Sequence, residues 1–498
     1  MVLGPSFYTS TPKFQLEVIS LSKCITSQQL SRKVPTFLYY QYDLRNVDLS
    51  HNNFSGTVPT WLLENNTKLG GLILKGNSFT GPLSFSSALI SDVSSIDISE
   101  NKLQGEMTNV NVSTFEFPNS LWEIDLSNNK LHGKLPRWIG NASFLWRLDL
   151  SNNGFEGSIP MEFCKLNGLE FLDLSQNNLS GSIPSCFNPP YIEHVHIHGN
   201  RLRGPLSLAF YNSSSIVTLD LRGNNLTGSI PKWIYTLSSL SVLLLKDNHF
   251  HGKVPVELCK LHSLSIIDLS QNMFSGPIPS CLGNLSLPMQ TKKILETGFY
   301  GTSIEEDETA RSMTLNSVMD SYYPESYLEE VIEFTTKSGF FLYGGNILSY
   351  MTGIDLSCNN LTGHIPPELG NLSEIYSLNL SHNKLTGVIP SSFAKLHQIE
   401  SLDLSYNNLS GSIPEKAQFG TFIENSYEGN PFLCGTILHK SCSKIDSPST
   451  ISTVSEDKGE DGLIDTYDFC VSFLVSYVVL LLTIFVVLYI NPYWRRAW

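Results

Sequence analysis

Apolar residues recur along most of the chain with one long period. The stretch at Leu145 reads LWRLDLSNNGFEGSIP, and the same order of apolar, polar, glycine and proline positions returns about every 24 residues. Short apolar–polar alternation is typical of a strand with one buried face, and the glycine and proline that follow are typical of a turn. Fourteen copies start at Leu16, Leu44, Leu69, Val93, Leu121, Leu145, Leu169, Ile192, Ile216, Leu240, Leu264, Met351, Ile375 and Ile399.

Each position of this unit has a predicted role. We expect the core to take Leu148, Leu150, Phe155 and Ile159, and the open face of the strand to carry Arg147, Asp149 and Ser151. Asn153 should turn the chain and bond backbone groups of adjacent units, and Gly157 should permit a tight bend. In the first copy Cys24 replaces the asparagine, and we expect it to be a buried thiol. One unit cannot bury its own apolar side, so the units should stack.

The period is that of the leucine-rich repeat. The predicted fold class is α/β: a solenoid of leucine-rich repeats with a curved parallel sheet on its concave face, plus one transmembrane helix. Repeats are expected over residues 1–286 (about eleven coils) and 348–422 (three coils), and a C-terminal cap over 423–442. Between the two blocks of repeats, residues 287–347 are acidic, aromatic and non-repetitive, and we interpret them as an inserted island.

The apolar segment Phe469 to Ile490 has 22 residues and no charge, long enough to cross a bilayer. Arg495 and Arg496 follow it, which favours a cytoplasmic C-terminus and extracellular repeats at the plasma membrane. We expect an acidic stalk over residues 443–468 and a short tail over 491–498. The tail is too short for a catalytic domain, and the chain has no common nucleotide-binding, metalloprotease or serine-hydrolase motif, so we predict no enzyme activity and no cofactor.

Several segments resemble the plant leucine-rich-repeat receptor-like proteins: LSGSIP, MTGIDLSCNNLTGHIP, YEGNPFLCG and SFLVSYVVLLLTIFVVLYINPYWRRAW. The resemblance implies a single-pass cell-surface receptor without a kinase, which recognises microbial, parasite or developmental molecules. It also implies that the island helps to shape a ligand site. The family has a signal peptide, an N-terminal cysteine cap and a longer tail, so we expect this sequence to be truncated at the N-terminus and shortened at the C-terminus.

The net charge of −14 argues against a nucleic-acid partner. Sequons for N-glycosylation favour an extracellular surface; they are Asn53, Asn65, Asn111, Asn141, Asn178, Asn212, Asn225, Asn284, Asn360, Asn371, Asn379 and Asn408.

Equal offsets within adjacent units place cysteines on neighbouring turns, at a spacing that a disulfide can bridge. The predicted pairs are Cys164–Cys186, Cys259–Cys281 and Cys434–Cys442.

The unit at Ile192 departs from the others, because three histidines occupy its outward positions. Cationic and apolar residues replace the usual serine and aspartate there and in nearby units. They are Phe171, His194, His196, His198, Arg222, Val242, Leu244, Lys246 and Ile266. Drift on a solvated face, a metal site and a ligand-binding patch are the three interpretations. We rank the metal site last because three histidines on one strand would splay and no fourth ligand is evident.

We favour the ligand patch, since exposed apolar residues need a cover and basic groups beside them suit an acidic peptide or glycan. His196 should lie between Asp173 and Asp220, which favours its protonated form and predicts weaker binding at alkaline pH.

The predicted function is that of a receptor that binds an extracellular peptide, protein or glycan and signals, in defence or development, through a receptor kinase with its own transmembrane helix. A secreted-type inhibitor of wall-degrading enzymes, resembling polygalacturonase-inhibiting proteins, is an alternative. A truncated decoy or scaffold without signalling is another.

Overall fold

The computed structural model describes residues 13–24, 33–83, 93–107, 121–285, 331–336, 339–344, 351–414 and 417–442. Fourteen short strands within these residues form one parallel sheet, which we call the concave sheet. They are β1 (Val18–Ser20), β2 (Asn46–Asp48), β4 (Gly71–Ile73), β6 (Ser95–Asp97), β8 (Glu123–Asp125), β10 (Arg147–Asp149), β12 (Phe171–Asp173), β14 (His194–His196), β16 (Thr218–Asp220), β18 (Val242–Leu244), β20 (Ile266–Asp268), β24 (Gly353–Asp355), β26 (Ser377–Asn379) and β28 (Ser401–Asp403).

A second parallel sheet runs alongside, with one strand from nearly every coil. Its strands are β3 (Ser55–Gly56), β5 (Ser78–Gly81), β7 (Lys102–Glu106), β9 (Lys130–Lys134), β11 (Gly154–Gly157), β13 (Asn178–Gly181), β15 (Arg201–Gly204), β17 (Asn225–Gly228), β19 (His249–Gly252), β21 (Met273–Gly276), β25 (Asn360–His364), β27 (Lys384–Val388), β29 (Asn408–Ser412) and β30 (Phe432–Cys434). The glycine predicted to bend each coil lies here, and Gly157 has a φ of +78° that a side chain would disfavour.

A single helical turn lies on the remaining side of most of the described coils. One is a short α-helix, α1 (Trp61–Asn65). The others are 3₁₀-helices: Thr36–Tyr40, Arg137–Asn141, Met161–Lys165, Lys232–Thr236, Val256–Lys260, Ser280–Asn284, Pro367–Asn371, Ser391–Lys395, Ala417–Thr421, Glu424–Ser426 and Thr436–Leu438. The repeated proline immediately precedes eight of these turns, and its fixed φ of about −65° leads the chain from the strand into the turn.

The core lies between these three sides and is continuous from coil to coil. In the coil at Leu145, Leu148, Leu150 and Phe155 are completely buried and Ile159 nearly so, as the repeat pattern predicts. The inserted island does not interrupt the stack, because β20 pairs directly with β24 in the same register as every other neighbouring pair.

An asparagine, buried in most of the described coils and half-buried at Asn153, joins a coil to the one before it. The Asn153 Nδ2 donates to the carbonyl of Leu126 in the preceding coil and to the carbonyls of Leu150 and Ser151 in its own. Its Oδ1 accepts the backbone N–H of Leu131. The same contacts recur at Asn52, Asn77, Asn101, Asn129, Asn177, Asn200, Asn224, Asn248, Asn272, Asn359, Asn383, Asn407 and Asn430. This asparagine ladder satisfies backbone groups that the turn would otherwise bury without partners.

The cysteines follow the predicted pairing with one correction. Disulfides join Cys164 to Cys186, Cys259 to Cys281 and Cys434 to Cys442, with Cα–Cα distances of 5.6, 5.8 and 5.1 Å. Cys24, expected to be buried, is exposed. It stands at the first described ladder position, and its backbone N–H donates to Asn52 Oδ1 while its short side chain does not reach a second coil.

The predicted transmembrane segment, stalk and tail lie outside the described residues. Among the residues that the structure does describe, no helix combines the length and the apolar character needed to cross a bilayer.

The asparagine ladder can be tested within a single coil. Asn248→Ala removes four contacts and leaves the Leu226 N–H and the Leu221 carbonyl without their partner. An unsatisfied buried group costs about 1–3 kcal/mol, so we expect a clear fall in the thermal unfolding midpoint. His249→Ala, at the exposed neighbouring position, is the control and should leave the midpoint unchanged. Equal midpoints for the two variants would contradict this role of the ladder.

Candidate functional site

A two-stranded antiparallel hairpin from the island lies over the concave sheet. Its strands are β22 (Val331–Thr336) and β23 (Gly339–Gly344). Ile332 is opposite Tyr343 and Phe334 is opposite Phe341, so these four side chains belong to one face of the hairpin. The alternation of buried and less buried residues along β22 shows that this face is the one that packs inward.

The hairpin covers an apolar strip of the concave sheet. Val242, Leu244 and Ile266 form one cluster with Ile332 and Phe334 of the hairpin. The exposed fractions of these three concave residues are 2, 0 and 0%. The expectation that they are open to an external ligand is therefore wrong. Their need for an apolar cover was inferred correctly, but a segment of the same chain supplies it.

Gly353, in β24, makes room for this contact. A Cβ at this position would lie 2.5 Å from Phe334 Cε1, well inside van der Waals contact. The neighbouring strand has Ser377 at the same register position. Sequence reasoning missed Gly353, although a glycine at an outward position of a strand does signal the close approach of another segment.

Two basic residues extend the contact with polar bonds. Arg222 NH1 donates to the Glu333 carbonyl at 2.6 Å and lies 3.6 Å from the Glu333 carboxylate. Lys246 Nζ donates to Thr335 Oγ1 at 3.1 Å. Both residues were predicted to attract an acidic ligand; in this structure Arg222 contacts Glu333 and Lys246 contacts Thr335 of the same chain.

Asp220 is the centre of the histidine region. Its carboxylate accepts a two-pronged bond from Arg222, with Nε at 2.9 Å and NH2 at 2.7 Å. His198 Nδ1 lies 3.1 Å and His196 Nδ1 4.0 Å from its Oδ2. Burial disfavours the charged carboxylate, but His198 and Arg222, with hydrogen bonds from His196 and His198, hold the pKa of Asp220 well below its ordinary value. The register places His196 between Asp173 and Asp220, as predicted.

Phe171 and His194 lie at the edge of this cluster, on the side away from the hairpin strip. Both are half-buried. The Arg147 guanidinium stacks 4.1 Å from the centre of the Phe171 ring, and the His194 ring lies 6.3 Å from it. Arg147 also pairs with Glu123 and Asp149, which fixes the cation over the ring. A half-exposed aromatic ring with a fixed cation and an imidazole beside it can contact both apolar and anionic groups.

The aspartates of the concave sheet are more buried than the open-face expectation implied. Asp149 Oδ1 accepts the backbone N–H and the hydroxyl of Ser151, and Asp268 makes the same two bonds with Ser270. This local bonding explains the repeated D-L-S sequence. Burial and the neighbouring aspartates raise the pKa of Asp149 well above its ordinary value. Burial, and then Asp268, raise the pKa of Asp355 to about 7.

A cleft of about 200 Å³ opens where the hairpin meets the last concave strands. It is lined by Thr336, Phe341, Tyr343, Met351, Tyr376, Glu400 and Ser401. Sequence reasoning placed no site here, because these residues are far apart in the chain and only the docked hairpin brings them together.

The predicted glycosylation sites remain predictions. The Asn111 sequon lies outside the described residues, and none of the other eleven asparagines is buried. Asn379 is a special case, because it lies in the concave sheet and its amide bonds Ser381 and Asp355.

Comparisons with known proteins agree on the repeat. Leucine-rich-repeat families match residues 43–65, 120–142, 144–166, 168–189, 214–274 and 349–409. Cuscuta receptor 1 of Solanum lycopersicum is 42% identical over 98% of this chain and 54% of its own length. Receptor-like protein 13 of Arabidopsis thaliana is 40% identical over 27% of this chain and 14% of its own length. This chain belongs to the plant leucine-rich-repeat receptor-like proteins. It spans about half the length of the tomato relative.

Two solved structures share the architecture of this family member. One is a plant peptide hormone receptor, RGFR1 in complex with RGF2, with 26% identity, a TM-score of 0.60, and coverage of 80% of this chain and 57% of that one. The other is the Arabidopsis receptor kinase HAESA in complex with the peptide hormone IDA and the co-receptor SERK1. It has 25% identity, a TM-score of 0.54, and coverage of 86% of this chain and 67% of that one.

The seating of the hairpin can be tested with a pair of substitutions. Gly353→Ala should push Phe334 out of its place and uncover the apolar strip, which we would measure as increased binding of an apolar fluorescent dye. In a Phe334→Ala background the clash is absent, so adding Gly353→Ala should change dye binding little. Leu342→Ala is the control, since Leu342 is 74% exposed on the other face of the hairpin. Equal increments from Gly353→Ala in both backgrounds would contradict the contact.

The buried aspartates predict a pH dependence of stability. Because the pKa of Asp355 in the folded chain is above the ordinary value of 3.8, folding favours its protonated form. That contribution is present at low pH and is lost as the pH rises from about 4 to about 7. Between pH 5 and pH 8, the thermal unfolding midpoint should therefore fall less for Asp355→Asn than for the unmodified chain. Asparagine fits this position, because Asn379 already occupies it in the next coil. If Asp355→Asn and the unmodified chain had the same pH profile, burial of Asp355 would not govern its ionisation.

Proposed function

We propose that this protein is a cell-surface receptor that binds an extracellular ligand on its concave sheet and signals through a partner receptor kinase. The observation that carries the proposal is the hairpin seated across the concave sheet, because it divides that sheet into a covered strip and an accessible face beside it. A peptide is the ligand class that we favour, because the two solved receptors of similar architecture are in complex with peptide hormones.

The proposed ligand face contains Phe171, His194 and His198, next to the hairpin-covered strip. Val242, Leu244 and Ile266 are left out of it, since the hairpin buries them. Arg222 and Lys246 act through the hairpin, to which both are bonded. An extended peptide with an apolar side chain and a carboxylate would match the Phe171 ring and the adjacent imidazoles.

Signalling requires a second protein in this proposal. We assign the segment Phe469 to Ile490 to the plasma membrane, with the repeats outside and residues 491–498 in the cytoplasm. In this proposal the kinase belongs to a partner with its own transmembrane helix. The receptor kinase HAESA, whose structure is similar to this chain, is in complex with the co-receptor SERK1, which supports a receptor kinase as the kind of partner. The proposed receptor would act in defence or in development.

A peptide selection tests the location of the ligand face. The purified chain would be used to select binders from a random peptide library, and the selected peptides would be titrated against single variants. Phe171→Ala and His194→Ala should each weaken binding at least tenfold. Tyr235→Ala and Val256→Ala replace exposed residues of helical turns on another side of the coils and should have no effect. Binding that depends on Tyr235 or Val256, and not on Phe171 or His194, would overturn the proposed face.

A further inference from the structure

The histidine region brings three metal-ligating side chains together in space. One ring nitrogen of His196, one of His198 and one carboxylate oxygen of Asp220 all lie within 4.8 Å of one another. His194, on the same strand, is not part of this group. We propose that His196, His198 and Asp220 form a binding site for a divalent cation of the Zn²⁺ class. This site shares His198 with the ligand face proposed above, but its test needs no peptide or kinase.

The fold prearranges the three ligands. His196 is the last residue of β14 and His198 follows it by two residues, with their ring centres 6.4 Å apart. Asp220 is the register partner of His196 on the adjacent strand β16. The cation therefore needs no rearrangement of the backbone. The objection that three histidines on one strand would splay does not apply, because the neighbouring strand supplies the third ligand.

The donor atoms have the chemistry and nearly the spacing that zinc requires. Zn²⁺ binds imidazole nitrogen at about 2.0–2.1 Å and carboxylate oxygen at about 2.0–2.2 Å, which places tetrahedral ligands roughly 3.3 Å apart. His198 Nδ1 already lies 3.1 Å from Asp220 Oδ2, and His196 Nδ1 lies 4.0 Å from it. Small side-chain rotations would complete the approach. Metal ligation uses the unprotonated ring nitrogen, so zinc binding would release any proton that this nitrogen carries.

Arg222 is the main charge that opposes a cation at this place. Its guanidinium is bonded to both oxygens of Asp220, and Arg147 is a second cation near Phe171. Three carboxylates favour a cation at this place. Asp220 lies at the site, Asp173 flanks His196, and Glu333 lies 3.6 Å from Arg222. Of the five charges named here, two are positive and three are negative, so the surroundings carry a net −1 before a cation binds. The Arg222 fork would also hold the Asp220 carboxylate in a fixed orientation, which favours metal binding.

The site is accessible from one side only. Asp220 and His196 are buried, whereas the His198 side chain is 24% exposed. Three protein ligands leave a fourth coordination position on zinc, as in sites that exchange water for another ligand. That position would be filled by water, or by a carboxylate of a molecule bound on the concave sheet.

Zinc titration of the purified full chain, stripped of metal and followed with a chromophoric chelator at pH 7, tests the proposal. We expect one site whose affinity falls at least tenfold in His198→Ala and is unchanged in His194→Ala. His251→Ala is a second control, because His249 and His251 form an exposed pair with the same i, i+2 spacing. Absence of binding by the unmodified chain, or equal loss in His198→Ala and His194→Ala, would overturn the site.

X-ray absorption of the zinc-loaded unmodified chain keeps the test decisive if a variant folds poorly. Two imidazole ligands together with one carboxylate are expected. Sulfur ligands, or oxygen ligands alone, would show that the bound zinc lies elsewhere and would contradict the assignment.

Discussion

The asparagine that ties each coil to the preceding one is the interaction on which the rest of this structure depends. Its Nδ2 donates to a carbonyl of the preceding coil and its Oδ1 accepts a backbone N–H of that same coil, so it fixes both the spacing and the register of the stack. Leucines of one coil can then fill the core left open by the next. A single coil has neither a closed core nor satisfied backbone groups, and stability in such a solenoid comes from the interfaces between neighbouring repeats.

Because the register of the coils is fixed, residues at equivalent positions of successive coils are nearest neighbours in the concave sheet. The distance between them is the strand spacing of about 4.8 Å. A repeated aspartate thus becomes a column of like charges, and burial together with this repulsion raises the pKa of Asp97 and Asp355 to about 7. Where the column changes, at His196 and Asp220, burial disfavours the charged carboxylate, but His198 and Arg222 hold the pKa of Asp220 well below its ordinary value. The same rule that builds the fold therefore sets the local electrostatics of its functional face.

The 24-residue period was enough to predict the features that recur in every repeat or at a fixed offset within it. The strand positions, the ladder asparagines, the cysteine pairs and the placing of His196 between two aspartates all follow from counting residues within a unit of known spacing. The hairpin contact could not be predicted in this way, since Phe334 lies in a non-repetitive segment and meets Val242 about ninety residues away. Cys24 was misjudged because equivalence to a buried asparagine does not guarantee burial at the first described coil.

The docked hairpin determines which part of the concave sheet is covered and which part is accessible. It converts an apolar strip, which would otherwise be exposed to solvent, into an internal contact and leaves the Phe171–His194–His198 face beside it. An isolated two-stranded hairpin is at best marginally stable in water, so its persistence depends on docking to Val242, Leu244 and Ile266. The location of any ligand on this sheet then depends on the hairpin remaining in place.

Hydrogen–deuterium exchange of the backbone amides in β22 and β23 measures this docking most directly. A docked hairpin predicts slow exchange in Val331–Thr336 and Gly339–Gly344, and loss of that protection in a Leu244→Asp variant whose repeat strands remain protected. Exchange of the hairpin amides at the rate of an unstructured peptide in the unmodified chain would contradict the account.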